Sequence, residues 1–218
     1  MSLTTRLRED AKGVWDKIFE HPFVIELYRG DLPREKFRYY IVQDYNYLLG
    51  LIRACSLAAA KADYRTARIA LEIAYRDATI EMESYMRLLE KLGLKIEDVV
   101  MIDPSPTNVA YVNFLLSTCA LDTSIACLVA ILPCFWTYLE IADRHKHLLE
   151  YNKDELYVSW AQTYLSTEYR ELVRTLIEAV DSLWNGDSYE KLRRIFIMAS
   201  RYEWMFWESA YRMEHWPI

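Results

Sequence analysis

Glycine and proline are scarce, at five and six residues in a chain of 218. Short strands joined by tight turns need more chain breakers than this, so the scarcity favours long helices. There are four cysteines, Cys55, Cys119, Cys127 and Cys134, and none stands in a CxxC spacing. Neither a zinc site nor a redox pair is therefore indicated. The four histidines, His21, His145, His147 and His215, supply no Glu-x-x-His, the repeated pair of di-iron helical bundles. His145 and His147 stand among Asp143, Arg144 and Lys146, the pattern of a solvated face. No two glycines lie four apart, so no glycine-rich helix could approach a porphyrin closely. These absences argue against a metal, a haem or any other cofactor.

Positive charge is in short supply too. The formal net charge is −6 and no basic run occurs, which argues against nucleic acid as a partner. Residues 1–15 carry acids and no apolar core, unlike a secretory leader. The longest apolar run, from Ile125 to Trp136, is broken by Pro133 and falls short of the ~20 residues a membrane span needs. The expectation is a soluble, cytoplasmic chain without membrane contact, folded as one domain over 1–218.

Apolar residues make up 53% of the chain, with 17 tyrosines and seven tryptophans. The periodicity predicts helices over 4–19, from Pro33 to about 62, over 64–92, from Asn108, and over 124–150. A shorter helix places Trp160 and Tyr164 four apart, and two more cover 167–184 and 188–213. His21-Pro22-Phe23 interrupts the first of these, and 95–107, with Pro104 and Pro106, reads as the one long loop. The expected class is all-α.

Three seams carry residues that apolar packing does not call for. In 124–142 the row Cys127, Ile131, Cys134, Tyr138, Ile141 alternates steps of four and three, one face of a packed helix. Pro133 lies within it and should kink the helix just before Cys134. In the helix after Pro33 the row Phe37, Ile41, Asp44, Leu48, Leu51, Cys55, Ala58 is interrupted by Asp44, with Tyr40 and Tyr47 on either side. In the last helix, Leu192, Phe196, Ala199, Glu203, Phe206, Ala210, Met213 is interrupted by Glu203. The helix over 64–92 reads Leu71, Tyr75, Ala78, Met82, Tyr85, Leu89, Leu92 on its buried face.

A carboxylate facing a core is costly unless something binds it. Asp44 is either a structural acceptor satisfied by tyrosines or a group that binds a ligand, and its own helix does not separate the two. Cys134, taken with its own helix alone, reads as a buried structural cysteine. If the three seams converge, the cavity holds a thiol, two carboxylates and several tyrosines. A thiolate is a strong nucleophile, and a carboxyl in apolar surroundings can hold and return a proton near neutral pH. With no histidine partner evident, a carboxylate would have to move the proton.

Leu132-Pro133-Cys134-Phe135-Trp136-Thr137-Tyr138, Asp44 with Tyr47, and 200–207 (SRYEWMFW) together resemble the TenA family, also called thiaminase II or aminopyrimidine aminohydrolase. His21-Pro22-Phe23, Leu32-Pro33 with Phe37-Arg38-Tyr39-Tyr40, and Trp160 with Tyr164 follow the same pattern in the same order, so the resemblance spans nearly the whole chain. It implies a haem-oxygenase-like helical bundle without haem, assembled as a homotetramer. It also implies hydrolysis of 4-amino-5-aminomethyl-2-methylpyrimidine to the hydroxymethyl pyrimidine and ammonia, in thiamine salvage, with thiamine as a related substrate. Carried over by position, Cys134 is the nucleophile and Glu203 the proton donor and acceptor. Asp44 binds the ring nitrogen and amino group, and Tyr47, Tyr111, Tyr138 and Tyr164 shape and stack the pocket. Tyr85 departs from the pattern, since many members carry histidine there, and this bears on substrate range.

Overall fold

The computed structural model describes residues 1–186 and 188–218. Among them the regular structure is helical throughout, with no strand. The helices are α1 Leu3–Asp10, α2 Lys12–Phe19, α3 Pro22–Arg29, α4 Arg34–Ala60, α5 Tyr64–Arg76, α6 Met82–Lys91 and α7 Ile96–Val99. They continue as α8 Pro106–Leu121, α9 Ser124–His145, α10 Glu155–Thr163, α11 Thr167–Leu183 and α12 Tyr189–Arg212. A π-helical turn, Asp77–Glu81, joins α5 to α6, and a 3-10 turn, Lys146–Glu150, follows α9.

α9 is the axis of the bundle. Residues 126–133, from Ala126 to Pro133, are buried without exception. A helix apolar on all sides has to lie inside, and α9 packs against α4, α8, α11 and α12. The single face drawn from the sequence therefore understates its burial. The span Ser124–Glu150 is long and apolar enough to cross a membrane, yet 78% of its apolar window is buried against the rest of the chain. The helix continues through Pro133, and Cys134 is the first residue after this run that is not fully buried.

α4 is the other long scaffold, packed against α5, α8, α9 and α12. Its approach to α8 depends on Gly50, where a Cβ would come within 2.6 Å of Val112 Cγ1. Side-chain caps fix where the neighbouring helices begin: Ser105 accepts from Asn108, Thr123 from Ala126 and Ser166 from Tyr169.

Four further expectations need correction. The helix over 4–19 is two helices that meet at the fully buried Ala11, which lets α1 lie on α11 and α12 while α2 turns along α12 and α9. The segment 95–107 contains α7, and α8 starts two residues before Asn108. The buried face of 64–92 is different in its first half. Leu71 and Tyr75 are 54% and 68% exposed, and Thr66, Ala70, Ile73, Ala74 and Asp77 face inward instead. The π turn explains this: its wider winding absorbs an extra residue and rotates what precedes it relative to Tyr85 and Leu89. Along α12 the predicted row is buried from Leu192 to Ala210, but Met213 lies beyond the helix end and is 39% exposed.

Candidate active site

Helices α4, α9, α10 and α11 and the π turn bring two of the odd seam residues, Asp44 and Cys134, to one cavity. A cavity of about 170 Å³ is lined by Tyr40, Asp44 and Tyr47 of α4, by Cys134 and Tyr138 of α9, and by Tyr164 just after α10. Tyr169 of α11 and the π-turn carboxylates Asp77 and Glu81 complete its wall. Five of the seven residues picked out from the sequence therefore share one space. Tyr111 and Glu203 are absent from that lining and stand one layer further in, reached through Tyr47. The Tyr47 and Tyr111 rings lie 5.0 Å apart, and the Tyr47 hydroxyl points at that of Tyr111 across a long 3.5 Å. The Tyr111 hydroxyl in turn donates to Glu203 Oε1 at 2.5 Å.

The aromatic wall is held by its own contacts. The Tyr40 and Tyr138 hydroxyls are 3.0 Å apart, and Tyr138 meets Tyr164 with ring centres 4.8 Å apart. Tyr169 donates to the Phe135 carbonyl at 3.0 Å, anchoring α11 beside Cys134. Tyr111 is stacked on Tyr202, with planes 11° apart. Such a wall offers flat apolar faces with hydroxyls at their edges, suited to a planar polar ring.

Burial sets the protonation of the site. It raises Glu203 from the ordinary carboxyl range to about 7, opposed by the Tyr111 hydrogen bond and, less strongly, by the nearby Thr137. The Thr137 hydroxyl makes no well-formed hydrogen bond of its own. Burial also pushes the Cys134 thiol well up, and the next influence on it is the charge of Glu203, while the Tyr47 hydroxyl pulls it back. Burial thus favours the neutral thiol, with Glu203 one layer behind the wall that carries it. Asp44 is pushed well up, first by burial and then by Glu81, Glu203 and Asp77 in that order.

Tyr85 does not reach the cavity as a free group. Its hydroxyl donates to the Ile41 carbonyl at 2.9 Å, bracing α6 on α4 three residues before Asp44. The cysteine reading is corrected at a different place. Cys119 and Cys127 form a disulfide, with Cα atoms 4.7 Å apart, between the end of α8 and the start of α9. The absence of CxxC gave no sign of it, because the pairing arises from two helices meeting across a short turn. Cys55 and Cys134 are the free thiols.

Asp77, Glu81 and Tyr169 are cavity residues that the sequence reading did not single out, and Tyr40 was noted there only as a neighbour of Asp44. One signal was available for the acids: Ile73, Asp77, Glu81, Tyr85 and Leu89 recur in steps of four. An unbroken run of fours drifts off one face of an α-helix and stays in line only where the winding loosens.

The helices pack around the buried α9 as an all-helical, haem-oxygenase-like bundle. A domain of unknown function from Shewanella denitrificans OS217, described as having a heme oxygenase-like fold, superposes with a TM-score of 0.80 at 14% identity, covering 96% of this chain and 92% of that one. A TenA homologue from P. horikoshii OT3 superposes with a TM-score of 0.94 at 45% identity, covering 97% and 99% of the two chains. An aminopyrimidine aminohydrolase of Halalkalibacterium halodurans is 31% identical over 220 residues, 99% of this chain and 98% of that protein. The sequence profile of the TENA/THI-4/PQQC family matches residues 8–213, and the chain belongs to that family.

Proposed function

We propose that this chain is an aminopyrimidine aminohydrolase, which replaces the amine of 4-amino-5-aminomethyl-2-methylpyrimidine by hydroxyl and releases ammonia, with cleavage of thiamine as a related activity. The observation that carries this reading is Cys134 on the wall of an aromatic-lined cavity, with Glu203 behind that wall and linked to it through the Tyr47 and Tyr111 hydroxyls. A passive pyrimidine binder needs neither a nucleophile on the wall nor a proton carrier behind it.

The reaction follows from that pairing. Cys134 loses its proton to Glu203 as its sulfur bonds to the pyrimidine ring. The electron pair gained by the ring expels the protonated amine from the exocyclic methylene as ammonia, and Glu203 keeps the proton taken from the thiol. Water then adds to the methylene carbon and its proton passes to the departing ammonia; the sulfur–carbon bond breaks, the aromatic ring re-forms, and Glu203 returns its proton to Cys134. The balance is one water consumed and one ammonia released. Asp44 pairs with the ring nitrogen and amino group, which relieves a carboxyl otherwise costly at this position. Tyr47, Tyr138 and Tyr164 hold the ring, and Tyr111 holds Glu203.

Ammonia release from the aminomethyl pyrimidine, with stoichiometric hydroxymethyl product, tests the reading directly. The same chain is expected to be a homotetramer. Tyr64, Leu71, Tyr75 and Ile80 leave 85%, 54%, 68% and 55% of their surface exposed on α5 and the π turn, an apolar face suited to burial between copies. Light scattering at micromolar protein should return four times the chain mass, and a monomer would contradict that assembly.

A further inference from the structure

Asp77 and Glu81 are not used by the reaction above, yet both lie on the cavity wall. Asp77 is only 5% exposed, and its Oδ2 is buried with no hydrogen-bond partner. Glu81 receives no hydrogen bond either among the described residues; burial raises its carboxyl and the neighbouring Arg76 pulls it back. Arg76 also lines the cavity but forms no ion pair within 4 Å among the described residues, acting on both carboxyls only at longer range. An unsatisfied buried carboxyl oxygen costs stability, and a fold has little reason to keep one in its interior unless something else satisfies it.

The backbone that carries the pair is unusual as well. The π turn spans Asp77 to Glu81 and breaks an otherwise continuous helix. Its wider winding turns both acids toward the cavity, where regular α-helix from α5 would have carried the inward face elsewhere. Asp44 lines the same cavity, so three carboxyls share one largely apolar space. They cannot all be ionised there without a positive charge among them, and among the described residues Arg76 is the one cation in the lining and forms no ion pair within 4 Å with any of them. A cationic ligand group would satisfy the free oxygen and relieve that repulsion together.

We propose that Asp77 and Glu81 form a second anionic subsite of the cavity, which takes a protonated primary amine carried on a planar ring. This deepens the reading given under Proposed function and, for the pyrimidine, rests on it. An aminomethyl group is cationic when protonated, and the hydroxymethyl group that replaces it is neutral. The subsite thus favours substrate over product, and loss of the charge on hydrolysis promotes release.

The test compares matched amine and alcohol ligands on two rings, by calorimetry with the Cys134→Ser chain so that no turnover intervenes. The pyrimidine pair is aminomethyl against hydroxymethyl, and the benzene pair is benzylamine against benzyl alcohol. The amine is expected to bind at least tenfold tighter than the alcohol. In Asp77→Asn/Glu81→Gln that preference should fall to about twofold or less, with the alcohol's affinity little changed, and thermal melting should confirm a folded chain. The single substitutions should each lose part of the preference. If neither pyrimidine binds but benzylamine keeps its advantage and loses it in the double variant, the subsite stands and the pyrimidine reading falls. No amine preference on either ring, or a preference that survives both substitutions, overturns the proposal.

Discussion

The Tyr111 hydroxyl donates to Glu203 Oε1 across 2.5 Å, tying α8 to α12 behind the wall that carries Cys134. This bond lowers the proton affinity of a carboxyl that burial alone would hold higher. Tyr111→Phe removes it with almost no change of shape. The pH at which Glu203 becomes available as a base should then rise above about 7, moving the acidic limb of the activity profile upward, and turnover at neutral pH should drop by roughly tenfold or more. A profile that stays in place would mean Glu203 is not the titrating base.

Asp44 is pushed well above the ordinary range for an aspartate, first by burial and then by neighbouring acids. Asp44→Asn keeps its outline and removes the repulsion. Binding of the pyrimidine should weaken by about ten- to a hundredfold, in line with loss of a charge-assisted pair worth roughly 1.5–3 kcal/mol. Thermal stability should stay level or rise. An unfolded variant would instead make Asp44 a structural acceptor.

The Cys119–Cys127 disulfide closes a short loop between two core helices. Replacing both cysteines by serine, or reducing the bond, should cost about 2–3 kcal/mol of stability by the loop-closure argument. Neither residue lines the cavity, so turnover of the folded variant should remain within about twofold of the parent. A folded but inactive double variant would mean that this bond sets the position of α9 and, with it, of Cys134.

Protonation should also be visible in stability. Burial raises Glu203 to about 7 from 4.5 and Asp77 to about 8 from 3.8, so across this range the folded chain holds protons that the unfolded chain has released. Stability contributed by these protons is therefore lost as pH rises through the window. His21 and His145 are held below 6.5, first by burial, and act in the opposite sense, costing stability as pH falls through that value. Comparing single variants separates the two effects. Asp77→Asn should raise the melting temperature more at about pH 8 than at about pH 5, and an equal rise at both would contradict the shift assigned to Asp77.

Much of this site was readable along the chain, and the reasons are specific. Asp44 and Glu203 stood out because each interrupts a row of alternating fours and threes that is otherwise apolar, and both rows are regular α-helix in the structure. Cys134 was marked by the proline before it. Asp77 and Glu81 were hidden because the pattern was followed at the α-helical period, where the chain winds as a π turn. The disulfide was hidden for another reason: its cysteines sit on different helices, and only their packing decides the pairing. The break at Ala11 likewise reflects which neighbours α1 and α2 find, with no proline there to announce it.

The most direct measurement is ammonia release from 4-amino-5-aminomethyl-2-methylpyrimidine by the parent and by Cys134→Ser, with ligand binding followed on the same samples. Serine nearly matches the shape of cysteine, so the variant should fold to within about 2 kcal/mol of the parent. Its hydroxyl stays protonated without a strong base beside it, so turnover should fall by about three orders of magnitude or more while the pyrimidine still binds. Glu203→Gln should fall comparably, and the double variant should lose little more than either single one, because thiol and carboxyl act as one unit. If Cys134→Ser releases ammonia at close to the parent rate, Cys134 is a core cysteine and the nucleophile assignment is wrong. If the parent binds the pyrimidine and releases no ammonia, the chain is a binder and not a hydrolase.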